Sequence, residues 1–598
     1  MSHFRHGMAL AFNNIYDSRV FTATVLAFSV FIVATSAHAQ VPVGPTQNNP
    51  NQQLPRPIPE VTPPPSVQES TPALKPELFE AGPRFIINKI TFDGALPNEG
   101  AMLEDAYSSQ KGRIISLGDL RAIALDVERR LQANGYRFTR VLVPEQEILN
   151  GNVKLQIVRG FISSIQVIGG SEKARQAVER AIAPLADGRL WRDGDAERFI
   201  LLAREVPGSD VRTIVRRGTG ALGAVDLLVE ITDHRLNAIS SINNLGAKAL
   251  GPTAGFFQVA INNVIGQADM TRFGAYASLD GDKQRIVQFS HNSALGSSGL
   301  RGSLSLGQTT AKPGGEAAIL DLEARVTNAR VELTYPLILR RVRRVDIGVG
   351  LDWIDQSTDV FGGNARLVEE SLRVVFGRLE FKHDFATQRA ERILSSLETR
   401  AGFVGSVWGE LEVRQGVDTL NASSADERLL SRSGATPQAL LMRFDSNLDL
   451  RLPRQLTMRL RMLGQTSRDV VTSFEEFSVG GFTIGRGYDP SSLTGSQGVG
   501  ASSEVALRSF PLRRRESEFG RYQPFAFVDW GRVWNSSDSS LSRRDSASIG
   551  VGVRVDFNRK ANLEFVYARP IHGLVPGEKP PAPRVTINLA IRRDWLKK

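Results

Sequence analysis

The residues best suited to chemistry in this sequence lie in a glycine-rich stretch near residues 475–500, which contains the run Gly485, Arg486, Gly487 and Tyr488. A guanidinium is a planar group of N–H donors that can bind a carboxylate through two parallel hydrogen bonds, which fixes direction as well as position. The glycines allow the backbone to turn sharply near another surface. On spacing alone, however, Arg486 is more simply one of many solvated arginines. A second group shares one side of a strand predicted further along the chain: Phe525, Phe527 and Asp529.

The sequence carries no recognised catalytic or metal-binding signature. Cysteine is absent, which excludes a thiol nucleophile, a disulfide framework and a thiolate metal site. There is no H-E-x-x-H pair, G-x-S-x-G elbow, Walker A loop or dinucleotide fingerprint after a predicted strand. We therefore expect no enzyme activity, no catalytic residue, no cofactor and no metal, and we assign Glu475 and Glu476 to loop solvation. The histidines after residue 39 are dispersed: His234, His291, His383 and His572.

Composition narrows the class of protein further. Of the 598 residues, 41% are apolar, 23% are charged and 7% are aromatic. The chain is thus too apolar to be mostly disordered and too polar for a helical membrane protein. The net charge of +10 is a modest basic excess for this length. It does not argue for a nucleic-acid partner, and we expect none.

The amino-terminal segment is typical of an exported protein. Residues 1–39 are predicted to be a secretory signal peptide, because the apolar run Val20–Val33 precedes the small-residue sequence Ala37-His38-Ala39. The alternative is an uncleaved membrane anchor, but the run is short for a span and lacks a following charge cluster. Residues 40–83 are dense in proline, which favours an extended linker over a packed core.

Two small α/β modules follow the linker. Residues 84–160 show the order strand, helix, strand, strand, and Ser116 with Asp119 predicts a capping box at the start of the main helix. Residues 161–233 repeat this plan. Sheets this small leave strand edges exposed, and such an edge can accept an extended peptide as an additional strand. The alternative is that the modules are spacers.

From residue 234 to residue 598 the apolar pattern has a period of two. Ile549, Val551 and Val553, for example, alternate with Gly550 and Gly552. Runs of about ten residues match the length of a tilted membrane-crossing strand. Sixteen candidates can be counted, the first beginning near residue 236, the ninth near 392 and the last near 583. A soluble sandwich shows the same alternation, but the repetition without helices and the signal peptide favour an antiparallel transmembrane β-barrel.

These features together resemble the TpsB translocators of two-partner secretion, the haemolysin secretion/activation family within the superfamily of barrels that carry periplasmic POTRA domains. Arg486-Gly487-Tyr488 matches the V-R-G-[YF] motif of the family's sixth extracellular loop, with Gly485 in place of the valine. Phe527-Val528-Asp529 matches the family's F-x-D motif and falls on the thirteenth predicted strand. The run Asn134–Gln146 of the first module is also similar to the family.

The resemblance implies a site and a mechanism. The loop near 475–500 is expected to fold back into the lumen, with Arg486 paired to Asp529. Two POTRA modules in the periplasm are expected to capture an unfolded exoprotein through its N-terminal secretion domain, and the barrel in the outer membrane to conduct it outwards. The expected partners are this exoprotein, of adhesin or haemolysin type, and outer-membrane lipid. The protein is expected to be monomeric.

Three alternatives remain at this stage. A barrel-assembly insertase shares the loop and F-x-D motifs, although the relatives of that type carry three or more POTRA modules. A general porin would lack the modules. A secreted enzyme or adhesin would be released rather than retained in the membrane.

Overall fold

The computed structural model describes residues 83–186, 190–218, 220–386, 404–452, 456–514, 517–535, 544–557, 560–574 and 577–596. The predicted signal peptide and the linker up to residue 82 lie outside these ranges, as do Lys597 and Lys598. Among the helices of the described residues, none is both long and apolar enough to cross a membrane.

The first module packs a helix against a small mixed sheet. Its elements are β1 (Arg84–Ile86), β2 (Lys89–Asp93), α1 (Gly100–Asp105), β3 (Ile114–Ser116), α2 (Leu117–Ala133), β4 (Arg140–Leu142) and β5 (Asn152–Val158). β5 pairs parallel with β2 and antiparallel with β4, and β1 pairs with β3. One apolar face of α2 is buried against this sheet, as its spacing predicts: Leu120, Ile123, Ala124, Val127 and Leu131.

The predicted capping box at the start of α2 is confirmed. The Ser116 hydroxyl accepts a hydrogen bond from the amide of Asp119 at 3.1 Å, and the Asp119 carboxylate accepts one from the amide of Ser116 at 2.8 Å. The Ser116 amide, followed by its hydroxyl, holds the pKa of Asp119 below its ordinary value. Two otherwise unpaired backbone donors are thereby satisfied, which fixes where the helix begins.

The second module leads directly into the barrel. It contains β6 (Phe161–Gly169), α3 (Glu172–Ile182), α4 (Asp193–Arg204), β7 (Ser209–Arg217) and the first half of β8 (Ala224–Asn243). β8 lies between β6, to which it is parallel, and β7, to which it is antiparallel. Its second half pairs instead with barrel strands. One continuous strand therefore links the module to the barrel wall.

Sixteen antiparallel strands close the barrel, as predicted. β8 is followed by β9 (Ala254–Asn262), β10 (Met270–Ser278), β11 (Gln284–Ala294), β12 (Arg301–Ala311), β13 (Glu323–Leu339), β14 (Arg343–Val360), β15 (Ala365–Ala386), β16 (Val404–Gly416), β17 (Leu440–Leu452), β18 (Leu456–Ser467), β19 (Phe477–Val479), β20 (Leu493–Gly495), β21 (Gln497–Ala506), β22 (Phe510–Arg514), β23 (Ser517–Trp534), β24 (Arg544–Phe557), β25 (Ala561–Pro570) and β26 (Arg584–Leu596). β19 and β20 lie outside the wall, and β21 with β22 forms its twelfth member. The predicted start of the ninth strand near residue 392 lies outside the described residues, and β16 is described from Val404.

Exposure separates the two faces of the wall. Ile549 and Val551 on β24 are 50% and 56% exposed, and Val287 on β11 is 60% exposed. These apolar side chains point outwards, where lipid would cover them, and the residues between them point into the lumen. The alternation in the sequence therefore indicates which side chains of each strand face lipid and which face the lumen.

The first and last strands are joined along their length. β26 pairs with β8 from Leu596 opposite His234 to Asn588 opposite Asn243, with one register shift next to Trp595. On the outer face of this seam, Ile242 lies opposite Leu589. Because the ladder is continuous, the described seam leaves no open strand edge towards the membrane.

The second module is docked on the turns at one end of the barrel. Arg198 of α4 donates to the carbonyl oxygens of Ser298 at 2.9 Å and Pro336 at 3.0 Å. Arg180 of α3 donates to the carbonyl oxygen of Gly266 at 3.1 Å. Gly266 and Ser298 lie in the turns that connect β9 with β10 and β11 with β12, and Pro336 lies near the end of β13, so the module lies beneath that part of the wall.

Candidate functional site

The loop between β18 and β21 folds back against the inside of the wall. β19 and β20 pair within it as a short hairpin. Its apolar residues Phe477, Val479, Ile484 and Leu493 are buried together with Val533 of β23. The loop thereby gains a small core of its own, which holds it to the wall without regular strand pairing.

Glycines shape the end of this hairpin. Gly480 has φ +113°, and a Cβ there would lie 2.2 Å from the carbonyl oxygen of Asp489. Gly485 has φ +82°, a backbone conformation that strains any β-branched residue. The V-R-G-[YF] motif that this loop resembles has valine at this position. The glycine found here is therefore matched to the local backbone of this chain.

Arg486 and Asp529 meet inside the barrel. The arginine Nε lies 3.0 Å from Oδ2 of Asp529, and Nη2 lies 2.8 Å from Oδ1, so the pair is bidentate. The backbone amide of Arg486 donates to the same Oδ2 at 2.9 Å. Asp529 is fully buried, and these donors take the place of water around its carboxylate. The pair fixes the loop to β23 in one orientation.

A second carboxylate and two aromatic rings complete this contact. Arg486 Nη1 lies 3.1 Å from Oε2 of Glu504 on β21, and its guanidinium carbon lies 3.4 Å from the ring centre of Phe527. Arg554 of β24 binds the same Glu504 and stacks on Phe525 at 4.0 Å. The guanidinium groups of Arg486 and Arg554 thus each stack on a phenylalanine ring. Their two positive charges face the negative charges of Asp529 and Glu504.

Gly487 and Tyr488 bind the neighbouring strand. A Cβ on Gly487 would lie 2.8 Å from Cβ of Ser548, which explains the need for glycine. The Tyr488 side chain is 1% exposed, and its hydroxyl lies 2.7 Å from the carbonyl oxygen of His572 and 2.9 Å from that of Ala547. The structure therefore brings the predicted loop residues and the predicted strand residues together on β21, β23 and β24.

The base of the loop has a separate anchor that the sequence analysis missed. Glu475 is 5% exposed, and its Oε1 lies 2.7 Å from Nη2 of Arg414, which is 2% exposed. Arg443 binds the other carboxylate oxygen. Arg414 also lies 2.7 Å from Asp352. The assignment of Glu475 to loop solvation is wrong, because the surrounding arginines of β16 and β17 replace the solvent.

A neighbouring loop reinforces this anchor. Arg432, between β16 and β17, lies 3.2 Å from Glu476 and donates to the carbonyl oxygen of Val471 at 2.8 Å. It also donates to Asn535 at 2.8 Å, beyond β23. The inward loop is consequently fixed at its base and at its tip, on two different arcs of the wall. Glu476 is likewise paired rather than solvated.

The residues with catalytic potential are not assembled. His234, His291 and His383 lie on β8, β11 and β15, and His572 follows β25. In the described part of the chain, no group of three or more histidine, aspartate or glutamate side chains is placed to hold a metal ion. The arrangement can anchor a loop inside a channel, and the charged groups described above are used in that contact.

Comparison with known proteins gives two family matches. Residues 224–555, more than half of the chain, match the family described as haemolysin secretion/activation protein ShlB/FhaC/HecB. Residues 85–160 match the ShlB-type POTRA domain. The family is one of transporters rather than enzymes.

Individual relatives agree with these matches. The chain is 24% identical over 472 residues to outer membrane transporter CdiB-2 of Burkholderia pseudomallei, covering 77% of this chain and 75% of that protein. It is 23% identical over 229 residues to heme/hemopexin transporter protein HuxB of Haemophilus influenzae, covering 38% and 40%. The solved structure of CdiB from Escherichia coli has the same fold, with a TM-score of 0.70 at 16% identity over 87% of this chain and 93% of that one.

Proposed function

Because the chain belongs to the ShlB/FhaC/HecB haemolysin secretion/activation family, and is thus an outer-membrane transporter of two-partner secretion, we propose that it exports a large partner exoprotein of adhesin or haemolysin type. Its POTRA modules are periplasmic. The observation that carries the proposal is a loop anchored inside a closed barrel. At one end of this barrel lies a module whose small sheet ends in edge strands. The transporter works as a monomer in outer-membrane lipid, and folding of the exoprotein outside the cell supplies the driving force.

The two modules are the capture surface in this proposal. In the described structure, β2 and β4 are the edges of the three-stranded sheet of the first module, and β6 and β7 are the edges of the sheet of the second. The N-terminal secretion domain of the unfolded exoprotein adds a strand to such an edge, so that main-chain hydrogen bonds give affinity and helix-groove contacts give selectivity. The proposed division is residues 84–160 and 161–233, preceded by a signal peptide at 1–39 and a linker at 40–83.

The inward loop is the proposed gate. While Arg486 is paired with Asp529 and Glu504, the loop occupies part of the lumen and narrows the resting pore. Export requires the loop to shift or the chain to pass beside it. Gly485 and Gly487 allow the close approach that the paired state needs.

Insertase activity is the second candidate, and the seam argues against it. Inserting a client into the membrane through the wall requires β8 and β26 to separate. Their ladder is paired from Asn243 to His234, so separation would expose both edges to lipid. Export through the lumen leaves the ladder intact.

Secretion of a candidate exoprotein encoded beside this chain tests the proposal. The full chain, and a variant lacking residues 84–233, are expressed with the exoprotein, and the medium is assayed for it. We expect exoprotein outside only with the intact modules, while the barrel of both variants migrates as a folded, heat-modifiable species. No export by the full chain, with other barrel proteins accumulating unfolded in the deletion strain, would favour the insertase instead.

A further inference from the structure

The lumen wall has two chemically different parts. On β13 to β18 the inward side chains form ion pairs from strand to strand. Arg330 binds Glu412 at 2.7 Å, Arg461 binds Asp445 at 3.1 Å, and a further pair on β17 and β18 joins Asp449 to Arg459 at 2.8 Å. The charged side chains of this part of the wall are thus paired with one another and with the base of the inward loop.

On β9 to β12 many inward side chains are polar, and some of these are paired, such as Asn292 with Arg301 at 2.8 Å, whereas others are not. The outward positions are identified by exposed Phe257, Phe273, Val287 and Leu304, and the lumen positions alternate with them. Six half-buried lumen side chains make no hydrogen bond or ion pair with any part of the described chain. We name them the polar strip: Gln258, Arg272, Gln288, Ser290, Ser303 and Ser305.

Strand register places the polar strip in adjoining rows. In one row Gln258 lies opposite Gly274, which lies opposite Gln288, which lies opposite Gly307. The row beside it contains Arg272, Ser290 and Ser305. A Cβ on Gly274 would lie 3.8–3.9 Å from Phe256, Gln288 and the carbonyl oxygen of Phe257, and because the residue is glycine no side chain separates the two glutamines in this row.

The two anchors of the inward loop lie on other strands than the polar strip. In the described residues, side-chain contacts fix the loop to β14, β16, β17, β18, β21, β23, β24 and β26. The loop also meets Lys248 before β9, whose amide donates to Asp489 at 3.0 Å. The second module is docked on the turns of these same strands through Arg180 and Arg198, and on β14 through the pair of Glu205 with Arg344. A chain released from the module would therefore enter the lumen beside β9 to β14.

We propose that the polar strip is the track along which an extended, unfolded segment of the exported polypeptide lies during passage. This inference rests on the proposed function and adds the surface that the cargo follows. Amide and hydroxyl groups can both donate and accept, so they exchange water for the N–H and C=O groups of any extended backbone. The guanidinium of Arg272 donates to passing carbonyl oxygens or carboxylates.

Weak and sequence-tolerant contacts suit a moving chain. The polar strip holds no acid and no fixed ion pair, so cargo residues of varied type can slide past it. A chain following β13 to β18 would have to break pairs such as Arg414 with Asp352 and Glu475. Such pairs are partly desolvated, and separating them is unfavourable.

Site-specific crosslinking tests the track, and the absence of cysteine makes each introduced thiol unique. Ser290→Cys and Ser305→Cys are made in the full chain, with Asn447→Cys of β17 as the lumen-facing control and Ala275→Cys of β10 as the lipid-facing control. The exoprotein carries one cysteine and a tightly folded domain behind it that stalls export. We expect disulfide-linked complexes with Ser290→Cys and Ser305→Cys and not with the two controls.

The outcomes separate this inference from the proposed function. Stalled cargo that links only to Asn447→Cys would overturn the track. Failure of the unstalled exoprotein to reach the medium with the unsubstituted chain would overturn the proposed function itself. As a second measurement, Ser290→Arg places a bulky fixed charge in the strip, and we expect loss of export from a heat-modifiable barrel. Unchanged export by this variant would count against the track.

Discussion

At the scale of single residues, Arg486 concentrates several kinds of contact in one side chain. It forms a bidentate pair with Asp529, a second pair with Glu504 and a stacking contact with Phe527. A buried carboxylate that loses its cation is left uncompensated, which is far more unfavourable than losing a solvated pair. The planar fork, rather than the charge alone, satisfies both carboxylates at once.

Replacing this guanidinium therefore tests the fork directly. Arg486→Lys retains the charge but cannot bind Asp529 through two parallel bonds while also reaching Glu504. We expect a larger and more frequently open pore in planar bilayers, together with reduced export, and a stronger effect for Arg486→Ala.

The control is Arg459→Lys, another lumen arginine, whose pair with Asp449 is partly exposed on both sides. It should leave conductance and export near those of the unsubstituted chain. Equal behaviour of Arg486→Lys and Arg459→Lys would mean that the loop arginine acts only as one more lumen charge.

At the scale of elements, the inward loop is fixed to the barrel wall at two places, its tip and its base. Its tip is held by β21, β23 and β24, and its base by Arg414 and Arg443 through Glu475. The two anchors lie on separate arcs of the wall and share no residue, so their effects should be separable.

Glu475→Gln tests the base alone. The amide keeps the shape of the carboxylate but leaves two arginines without its charge, and removing one partner of a buried pair costs about 3–5 kcal/mol. Because the glutamine oxygen still accepts one hydrogen bond, we expect a loss near the lower end of that range. Hydrogen exchange should accelerate at the loop base before β19, while the amides around Tyr488 remain protected.

Glu564 of β25 is a second partner of Arg554, at 2.6 Å, and Glu564→Gln is the matched control because Arg554 retains Glu504 when Glu564 is neutralised. Amide hydrogen exchange at the inward loop should be unaltered in this control variant. Equal acceleration at the base and at the tip in Glu475→Gln would contradict two independent anchors.

At the scale of the whole molecule, the closed seam decides which route a client can take. β8 belongs both to the second module and to the wall, so the module is covalently continuous with one side of the seam. Opening the wall there would also disturb the module. Export through the lumen does not require the wall to open at the seam.

A disulfide across the seam distinguishes the routes. Ile242 and Leu589 lie opposite each other on the lipid face, at the spacing that a disulfide accepts between antiparallel strands. We expect the double variant Ile242→Cys, Leu589→Cys to export as well when oxidised as when reduced. The control pair Phe273→Cys, Phe289→Cys locks two strands away from the seam. Export lost only when the seam pair is oxidised would show that the wall must open.

The local pattern of the sequence determined much of this architecture. A period of two assigns which side chains of each strand face lipid, because the pleat leaves no other arrangement, and capping by Ser116 and Asp119 fixes the start of α2 by bonds within four residues. The motif around Arg486 was recognisable because Arg486-Gly487-Tyr488 matches the family's V-R-G-[YF] motif, although Gly485 replaces the valine. Its pairing with Asp529 was expected from that resemblance, and the structure places the two groups in contact.

Only the tertiary structure decided where the remaining charges go. Glu475 looks solvated in the sequence because its partners, Arg414 and Arg443, come from strands brought to it by barrel closure. The alternation of inward and outward residues along β21 places Glu504 on the lumen face. Its position along the barrel axis, beside Arg486 and Arg554, depends on the stagger between strands. The difference between the ion-paired wall and the polar strip arises in the same way. Alternation along one strand is a local property, whereas the partner of a charge depends on register between strands far apart in the chain.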